Sequence, residues 1–317
     1  MSSSTSNSRA GTRGEWKAIA LAAAALLLFE CAMRMEGGVL STDLLHIREI
    51  PRVADELASR DGIRVLFLGN SLIREGFDSG ALAESLDESS KAPIEVRSVF
   101  PDDTTIVEWS ALFQHYFIDA DRAPDVLVLG FARDHLSDAT TVHPERLGRF
   151  YTGLSDIPRI FRYDVVDFGG RVDYLLAYAS SAFGNRERVP RRFFDLWVPH
   201  FREARSEINR NLRAGPSRPA SGAIRSYTRL ERFARLLKEQ EVRGIAVAMP
   251  LRDEYPLDGR LRETLGAAGV ELIDARSVLG LARTSYRDSM HLTREGARVY
   301  SRWLGRRLAA DLARKPE

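Results

Sequence analysis

The sequence predicts an α/β fold built on a parallel sheet. Short runs of aliphatic and β-branched residues alternate along the chain with segments of helical spacing. The runs are apolar throughout, as expected of parallel strands that are buried on both faces. With 317 residues, 44% of them hydrophobic, the chain is long enough for one large core that carries an insertion.

Five apolar runs are predicted as strands. They are bounded by turn residues; the first, for example, lies between Asp61-Gly62 and Gly69-Asn70. The predicted strands cover 63–68, 94–99, 126–130, 245–249 and 270–273. The predicted helices cover about 79–87, 107–119, 224–242, 258–268 and 294–314.

The interval between the third and fourth strands contains no clear strand pattern. It includes the aromatic and basic stretch "RRFFDLWVPHFREARSEINRNL" at 191–212 and the loop-like stretch "GPSRPASG" at 215–222. We therefore expect a mostly helical insertion at about 135–222.

The N-terminus has the pattern of a signal anchor. A polar tail at 1–15, expected to be cytoplasmic, precedes a segment at 16–35 that is apolar from 18 to 33 except for Glu30. We expect this segment to span a membrane and the remainder to be exported to the periplasmic or extracellular side. A connector at 36–60, helical from about 50, would lead to a domain at 61–314. A cleaved signal peptide and a helix of a soluble protein are the alternatives.

Composition excludes several classes of function. The 46 basic and 44 acidic residues give a net charge of +2, which makes no case for nucleic acid as the main partner. Cys31 is the only cysteine, so an intrachain disulfide is impossible and the exported domain has no thiol nucleophile. No histidine–carboxylate spacing is typical of a metal site, and no glycine loop is typical of phosphate binding. We expect no metal and no cofactor, and ordinary polar positions at His115 and His135.

Three residues have the chemistry of a serine nucleophile and its base. Ser71 follows the first predicted strand, and Asp288 and His291 follow the fifth. Because sites in such sheets form beyond the carboxyl ends of the strands, we expect all three at one edge. An imidazole activates a serine hydroxyl when a carboxylate fixes its tautomer. The helix after Ser71 would direct N–H groups toward a developing oxyanion.

The two stretches that carry these residues resemble the SGNH (GDSL-like) hydrolases. "LFLGNSL" is similar to the first block of that family, with Asn70 where many members have Asp, and "DSMHLTREGARVYSRWL" is similar to the last block. The resemblance implies a flavodoxin-like three-layer α/β/α fold with strand order 2-1-3-4-5. It also implies ester chemistry at Ser71, with His291 as base and Asp288 as the residue that orients it.

Two further blocks of the family are altered. Asp103 stands near the position of a glycine whose N–H contributes to the oxyanion hole, and "LGFARDHLSD" lacks the family's asparagine. Arg133 is the available substitute, because a guanidinium can donate a charged hydrogen bond. The expected oxyanion donors are the N–H groups of Ser71 and Asp103 and the side chain of Arg133.

The resemblance implies a membrane-anchored serine esterase or O-acyltransferase. Anchored relatives with an insertion act on acetyl esters of cell-surface or exported polysaccharide, so an ester or glycan substrate is expected, and acyl transfer would add a membrane-bound acyltransferase as partner. Hydrolysis and transfer share the acyl-enzyme step, and the sequence leaves both open. The alternative class, motivated by the two altered blocks, is a catalytically weak, membrane-tethered glycan-binding or assembly subunit that keeps the fold.

Overall fold

A computed structural model describes residues 8–35, 41–90, 92–201, 203–205, 207–208 and 225–313. The sheet consists of β1 (Ile63–Leu68), β2 (Ile94–Val99), β3 (Val126–Phe131), β4 (Arg243–Ala248) and β5 (Glu271–Asp274). All neighbouring strands are parallel, in the order β2-β1-β3-β4-β5. The predicted fold class and strand order are therefore confirmed, and every strand ends at the same edge of the sheet.

The strands begin and end within two residues of the predicted positions. The largest difference is at β4, which begins at Arg243 because Arg243 and Gly244 already pair with β3. The longer helices are α1 (Ser8–Met35), α2 (Thr42–Ala58), α3 (Ser71–Gly76), α4 (Ser79–Ser89), α5 (Ile106–Phe113), α6 (Ile157–Tyr163), α7 (Phe168–Ala179), α8 (Arg188–Trp197), α9 (Thr228–Glu239), α10 (Gly259–Ala267) and α11 (Arg294–Leu312). Shorter helical turns cover Gln114–Ile118, Pro144–Arg146, Leu147–Tyr151, Leu154–Asp156, Ser181–Gly184 and Arg283–Ser285.

Helices cover both faces of the sheet, which gives three layers. Alternate residues of β1 point to opposite faces: Leu66 and Leu68 into one core, and Val65 and Phe67 into the other. The first core is completed by α2, α5, α9 and α10, and the second by α3, α4 and α11.

Helix α2 is longer than the sequence indicated and belongs to the first core. It begins at Thr42, where Ser41 accepts a hydrogen bond from the Leu44 N–H, whereas the expected helical part began near residue 50. Its buried apolar residues follow helical spacing and are Leu44, Ile47, Ile50, Ala54 and Leu57. The segment expected to connect the anchor to the domain therefore packs against the sheet.

The insertion is helical in the part that the structure describes, as predicted. Its first half packs on the first core through buried apolar side chains, among them Leu147, Tyr151, Ile160 and Tyr174. Helix α8, in contrast, has no buried residue. The predicted loop at 215–222 and the first seven residues of the predicted tail lie outside the described residues.

Helix α1 contains a segment of 21 residues, Glu15–Met35, that is long and apolar enough to cross a membrane. Within it only Glu30 and Met33 are partly covered, and the other side chains are exposed. Length and composition do not distinguish a membrane anchor from a signal sequence or from an apolar helix of a soluble protein.

Candidate active site

Ser71 is placed by the sharp transition from β1 to α3. Gly69 and Asn70 follow the strand, and Asn70 caps the helix by accepting a hydrogen bond from the Leu72 N–H at 3.1 Å. Two glycines let α3 approach the strand ends, since an added Cβ would lie 2.4 Å from Ile73 at Gly69 and 2.2 Å from Ile73 at Gly130. The Ser71 hydroxyl is consequently held at the carboxyl edge of the sheet.

Asp288 and His291 lie on a tight loop that leads into α11. Tyr286 forms an antiparallel bridge with Leu292, and the Arg287 N–H donates to the carbonyl of His291 at 2.8 Å. These contacts close the loop on itself. The three-residue spacing seen in the sequence thereby becomes a fixed turn.

The structure brings the three predicted catalytic residues together. The Ser71 Oγ lies 3.0 Å from His291 Nε2, and His291 Nδ1 lies 2.9 Å from Asp288 Oδ2 and 3.1 Å from Asp288 Oδ1. His291 is only 4% exposed, whereas Ser71 is partly open to solvent. The arrangement has the distances of a nucleophile, a base and an orienting carboxylate.

Hydrogen bonds keep Asp288 ionised despite its partial burial. Burial by itself raises the pKa of the Asp288 carboxyl, but the hydrogen bonds from the His291 ring and from the N–H groups of Met290 and His291 outweigh it and hold the pKa well below its ordinary value. The two N–H groups donate to Asp288 Oδ1 at 2.8 Å each. A carboxylate at Nδ1 requires a proton there, which leaves Nε2 free to accept the proton of Ser71.

A second histidine, His135, contacts the residue before Ser71, and the sequence pattern did not predict this contact. The side-chain amide of Asn70 donates to the Thr104 carbonyl at 3.0 Å and lies 3.4 Å from His135 Nδ1. Burial, together with the nearby charge of Arg133, lowers the pKa of His135 to about 4 against the opposing charges of Asp134 and Asp103. A neutral ring can accept from Asn70 and from the Ala132 N–H, which lies 3.4 Å from Nδ1. Its position just after β3 was the one available signal.

Asp103 lies on a loop whose backbone is hydrogen-bonded to the insertion and to α2. It adopts a φ of +54°, in the left-handed region that favours glycine, and its side chain is exposed. Buried Arg146, from the insertion, donates to the carbonyls of Asp103 at 3.1 Å and Asp102 at 2.7 Å. Asp43 accepts from the Asp102 N–H at 2.7 Å. The insertion and α2 together therefore fix the backbone of this loop.

Arg133 follows β3 directly and also has a left-handed backbone, with a φ of +54°. Its side chain is half-buried. Its charge acts on the His135 ring, and that ring contacts Asn70, the neighbour of Ser71. Because it follows β3, Arg133 lies at the same edge of the sheet as the triad.

One cluster of described residues has atoms spaced as metal ligands could be. His115, Asp119 and Asp156 offer atoms within 4.8 Å of one another. The carboxylate of Asp156 already accepts hydrogen bonds from the Gly153 N–H at 2.9 Å and from Arg159 at 2.8 Å. The Asp156 carboxylate therefore already has two protein donors.

No protein-family model and no curated protein matches the chain. Solved structures that are similar to this one include a lipase/acylhydrolase from Enterococcus faecalis (12% identity, TM-score 0.38, covering 78% of this chain and 97% of that one). They also include the acetyl-xylooligosaccharide esterase Axe2 from Geobacillus stearmophilus (13% identity, TM-score 0.37, 79% and 94% covered). A third is LAE5, an alpha/beta hydrolase from the metagenome of Lake Arreo (13% identity, TM-score 0.35, 82% and 100% covered). At these scores the similarity carries no argument about activity.

Proposed function

We propose that the protein is a membrane-anchored serine esterase or O-acyltransferase of the SGNH type. The observation that carries the proposal is the chain of contacts from Ser71 Oγ through the His291 ring to the Asp288 carboxylate, at 3.0 and 2.9 Å. An ionised Asp288 at Nδ1 favours the His291 tautomer whose Nε2 can receive the serine proton.

The reaction begins when Ser71 Oγ attacks the carbonyl carbon of an ester and its proton passes to His291 Nε2. The tetrahedral intermediate then collapses, the bond to the leaving alcohol breaks, and His291 returns the proton to that alcohol. The acyl group remains on Ser71 Oγ as an ester. Water releases it as a carboxylic acid, whereas a sugar hydroxyl takes it over as a new ester.

Three donors support the oxyanion in this proposal. The N–H groups of Ser71 and Asp103 supply two, and the left-handed backbone of Asp103 provides the conformation that the resemblance expects of a glycine there. The Arg133 guanidinium supplies the third in place of the family's asparagine. Arg146 serves the hole indirectly, since its bonds to two carbonyls hold the Asp103 peptide in place.

The apolar segment of α1 places the reaction at a membrane in this proposal. Its 21 residues would extend about 31 Å as a helix, close to the thickness of a bilayer's hydrocarbon core. An exported, anchored domain fits an acetylated polysaccharide of the cell surface as substrate. A membrane-bound acyltransferase would be the partner in the case of acyl transfer.

The proposal is tested by trapping the acyl-enzyme. The full-length protein in detergent is incubated briefly with a small activated acetyl ester, quenched in acid and digested, and the peptide that contains Ser71 is weighed. An increase of about 42 Da, one acetyl group replacing a proton, is expected on this peptide and not in Ser71→Ala. Time courses with water alone and with added oligosaccharide then separate hydrolysis from transfer.

The second candidate is a catalytically weak glycan-binding or assembly subunit. It is favoured by the exposed carboxylate of Asp103, which adds a negative charge beside the proposed oxyanion. Equal turnover of acetyl esters by the wild type and by Ser71→Ala, together with no adduct, would support the binding or assembly subunit and refute the serine enzyme.

A further inference from the structure

The carboxyl-terminal end of α1 is attached to the insertion by a polar clamp. The Glu30 carboxylate accepts hydrogen bonds from the N–H groups and hydroxyl of residues 180–182 at 2.7 to 3.0 Å. Arg34 donates to Glu30 at 2.8 Å and to the carbonyl of Ala179 at 3.0 Å. The junction that follows α7 therefore lies against the last turns of the apolar helix.

The clamp fixes the height of the insertion relative to a membrane. Glu30 is five residues before the end of α1, which is about 7.5 Å along a helix. The headgroup layer on each side of a bilayer is about 5–7 Å thick, so a membrane spanned by α1 has its polar boundary near Glu30 and Arg34. Residues 179–182, bound to both side chains, must lie at this boundary.

Helix α7 exposes an apolar stripe beside the clamp. The stripe has the spacing i, i+4, i+7 and i+8 of a helix face that normally packs against a core. Its members are Phe168 (83% exposed), Val172 (37%), Leu175 (45%) and Leu176 (46%). The core contact of α7 is made by a different face, through fully buried Tyr174 and Ala177. The stripe therefore has no covering partner among the residues that the structure describes.

Helix α8 repeats this arrangement a few residues further along the chain. Val189, Phe193, Leu196 and Trp197 share one face, and Phe193 stacks on Trp197. The opposite side carries Arg188, Arg191 and Arg192. Such a helix, with aromatic residues on one face and arginines on the other, is typical of peptides that lie in the interface of a membrane.

Helix α8 is also tied to the end of α1. Arg188 donates to the Asp43 carboxylate at 3.0 Å, and Asp43 lies near the start of α2. Arg48 of the same helix donates to the carbonyl of Met35 at 3.0 Å and to that of Arg34. Both exposed stripes are thus connected to the point where α1 would leave the bilayer.

We propose that the apolar stripes of α7 and α8 insert into the interface of the same phospholipid bilayer that α1 spans, with Arg191 and Arg192 of α8 at the lipid phosphates. The inference rests on the proposed anchoring by α1. It makes the insertion a membrane-binding surface that holds the catalytic edge at a fixed height, since Arg146 of the insertion also fixes the Asp103 loop.

The test measures how deeply chosen side chains lie in lipid. In a full-length Cys31→Ser background, single cysteines at Leu175 and Phe193 are spin-labelled, and the protein is reconstituted in nanodiscs that contain anionic phospholipid. Accessibility to oxygen, which concentrates in lipid, is compared with accessibility to an aqueous nickel chelate. A cysteine at Leu279, which is 96% exposed and follows β5, is the matched control. A cysteine at Leu21, 72% exposed on α1, reports the anchor itself.

The expected result is that labels at 175 and 193 lie about 5–10 Å into the interface, while the label at 279 is fully aqueous. A lipid-exposed label at 21 with aqueous labels at 175 and 193 would refute the interfacial surface and leave the anchor standing. Labels at 175 and 193 shielded from both reagents would show a covering protein, which also refutes it. An aqueous label at 21 would overturn the anchor and this inference together. The acetyl adduct on Ser71 is measured independently of all three outcomes.

Discussion

The substitution Asp288→Asn separates a catalytic role of the carboxylate from a role in the turn. Asp288 Oδ1 accepts two backbone N–H groups at 2.8 Å, and Oδ2 lies 2.9 Å from His291 Nδ1. The asparagine amide that replaces the carboxylate would keep its oxygen at the N–H groups of Met290 and His291, because the opposite orientation would place its NH₂ group against these two N–H donors. Its NH₂ group would then face Nδ1 and require that nitrogen to be unprotonated. The proton would move to Nε2, where it blocks the transfer from Ser71.

The magnitude follows from this change of tautomer. We expect kcat to fall by about 10³–10⁴, equivalent to about 4–5.5 kcal/mol in the activation free energy. Stability should change much less, because both backbone hydrogen bonds persist and only their charge assistance is lost. A loss of about 1–2 kcal/mol corresponds to a Tm lower by a few degrees in a domain of this size.

The assay is the initial rate of acetyl ester hydrolysis by the full-length protein in detergent, with Tm measured on the same samples. Asp274→Asn is the matched control, because Asp274 lies at the same edge of the sheet, at the end of β5, but accepts hydrogen bonds from Arg276 and Arg262 and does not contact the triad. The control should retain its kcat. A loss of less than tenfold in Asp288→Asn, with normal folding, would mean that Asp288 only stabilises its turn.

Four further outcomes are expected. Ser71→Ala and His291→Ala should each abolish nearly all turnover, and the double variant should lose little more, because the pair acts as a unit; additive losses in single-turnover measurements would contradict this. Arg133→Ala should lower kcat at least tenfold, and by about 10²–10³ if it contributes as much as a typical oxyanion donor, with Tm within a few degrees; normal kcat with a large fall in Tm would assign it to structure alone. Arg146→Met should cost about 3–5 kcal/mol in urea unfolding, because the Asp43 carboxylate and the carbonyls of Asp102 and Asp103 lose a buried charged partner. It should also lower kcat more than it changes KM, because the loop after β2 loses its support; an unchanged kcat in the folded variant would remove its positioning role. Since burial lowers the pKa of His135 to about 4 from an ordinary value near 6.5, the unfolded chain binds an extra proton between these values and stability falls as pH decreases through that window; His135→Gln should reduce this fall, and identical pH profiles of unfolding would refute the assignment.

Local pattern and motif spacing predicted much of the fold and the triad. The five apolar runs indicated the strands because a buried parallel strand needs an apolar side chain on both faces. Ser71, Asp288 and His291 were found because parallel strands end at one edge, so residues far apart in the chain are expected to meet there. The short spacing from Asp288 to His291 let a single turn bring carboxylate and ring together.

The rest depended on contacts that only the folded chain creates. Nothing near Asp43 or Arg146 in the sequence indicates that both hold the loop of Asp103, because the path of the insertion and the docking of α2 decide which distant residues meet. The neutral state of His135 likewise follows from its burial, which a sequence position does not reveal. By itself the sequence determined the strands and the α/β class, since these follow from short-range periodicity. The resemblance of two motifs to a known family added the strand order and the roles expected of Ser71, Asp288 and His291. The tertiary structure alone decided which side chains support them and which apolar stripes stay exposed, since long-range packing selects one face of each helix for the core.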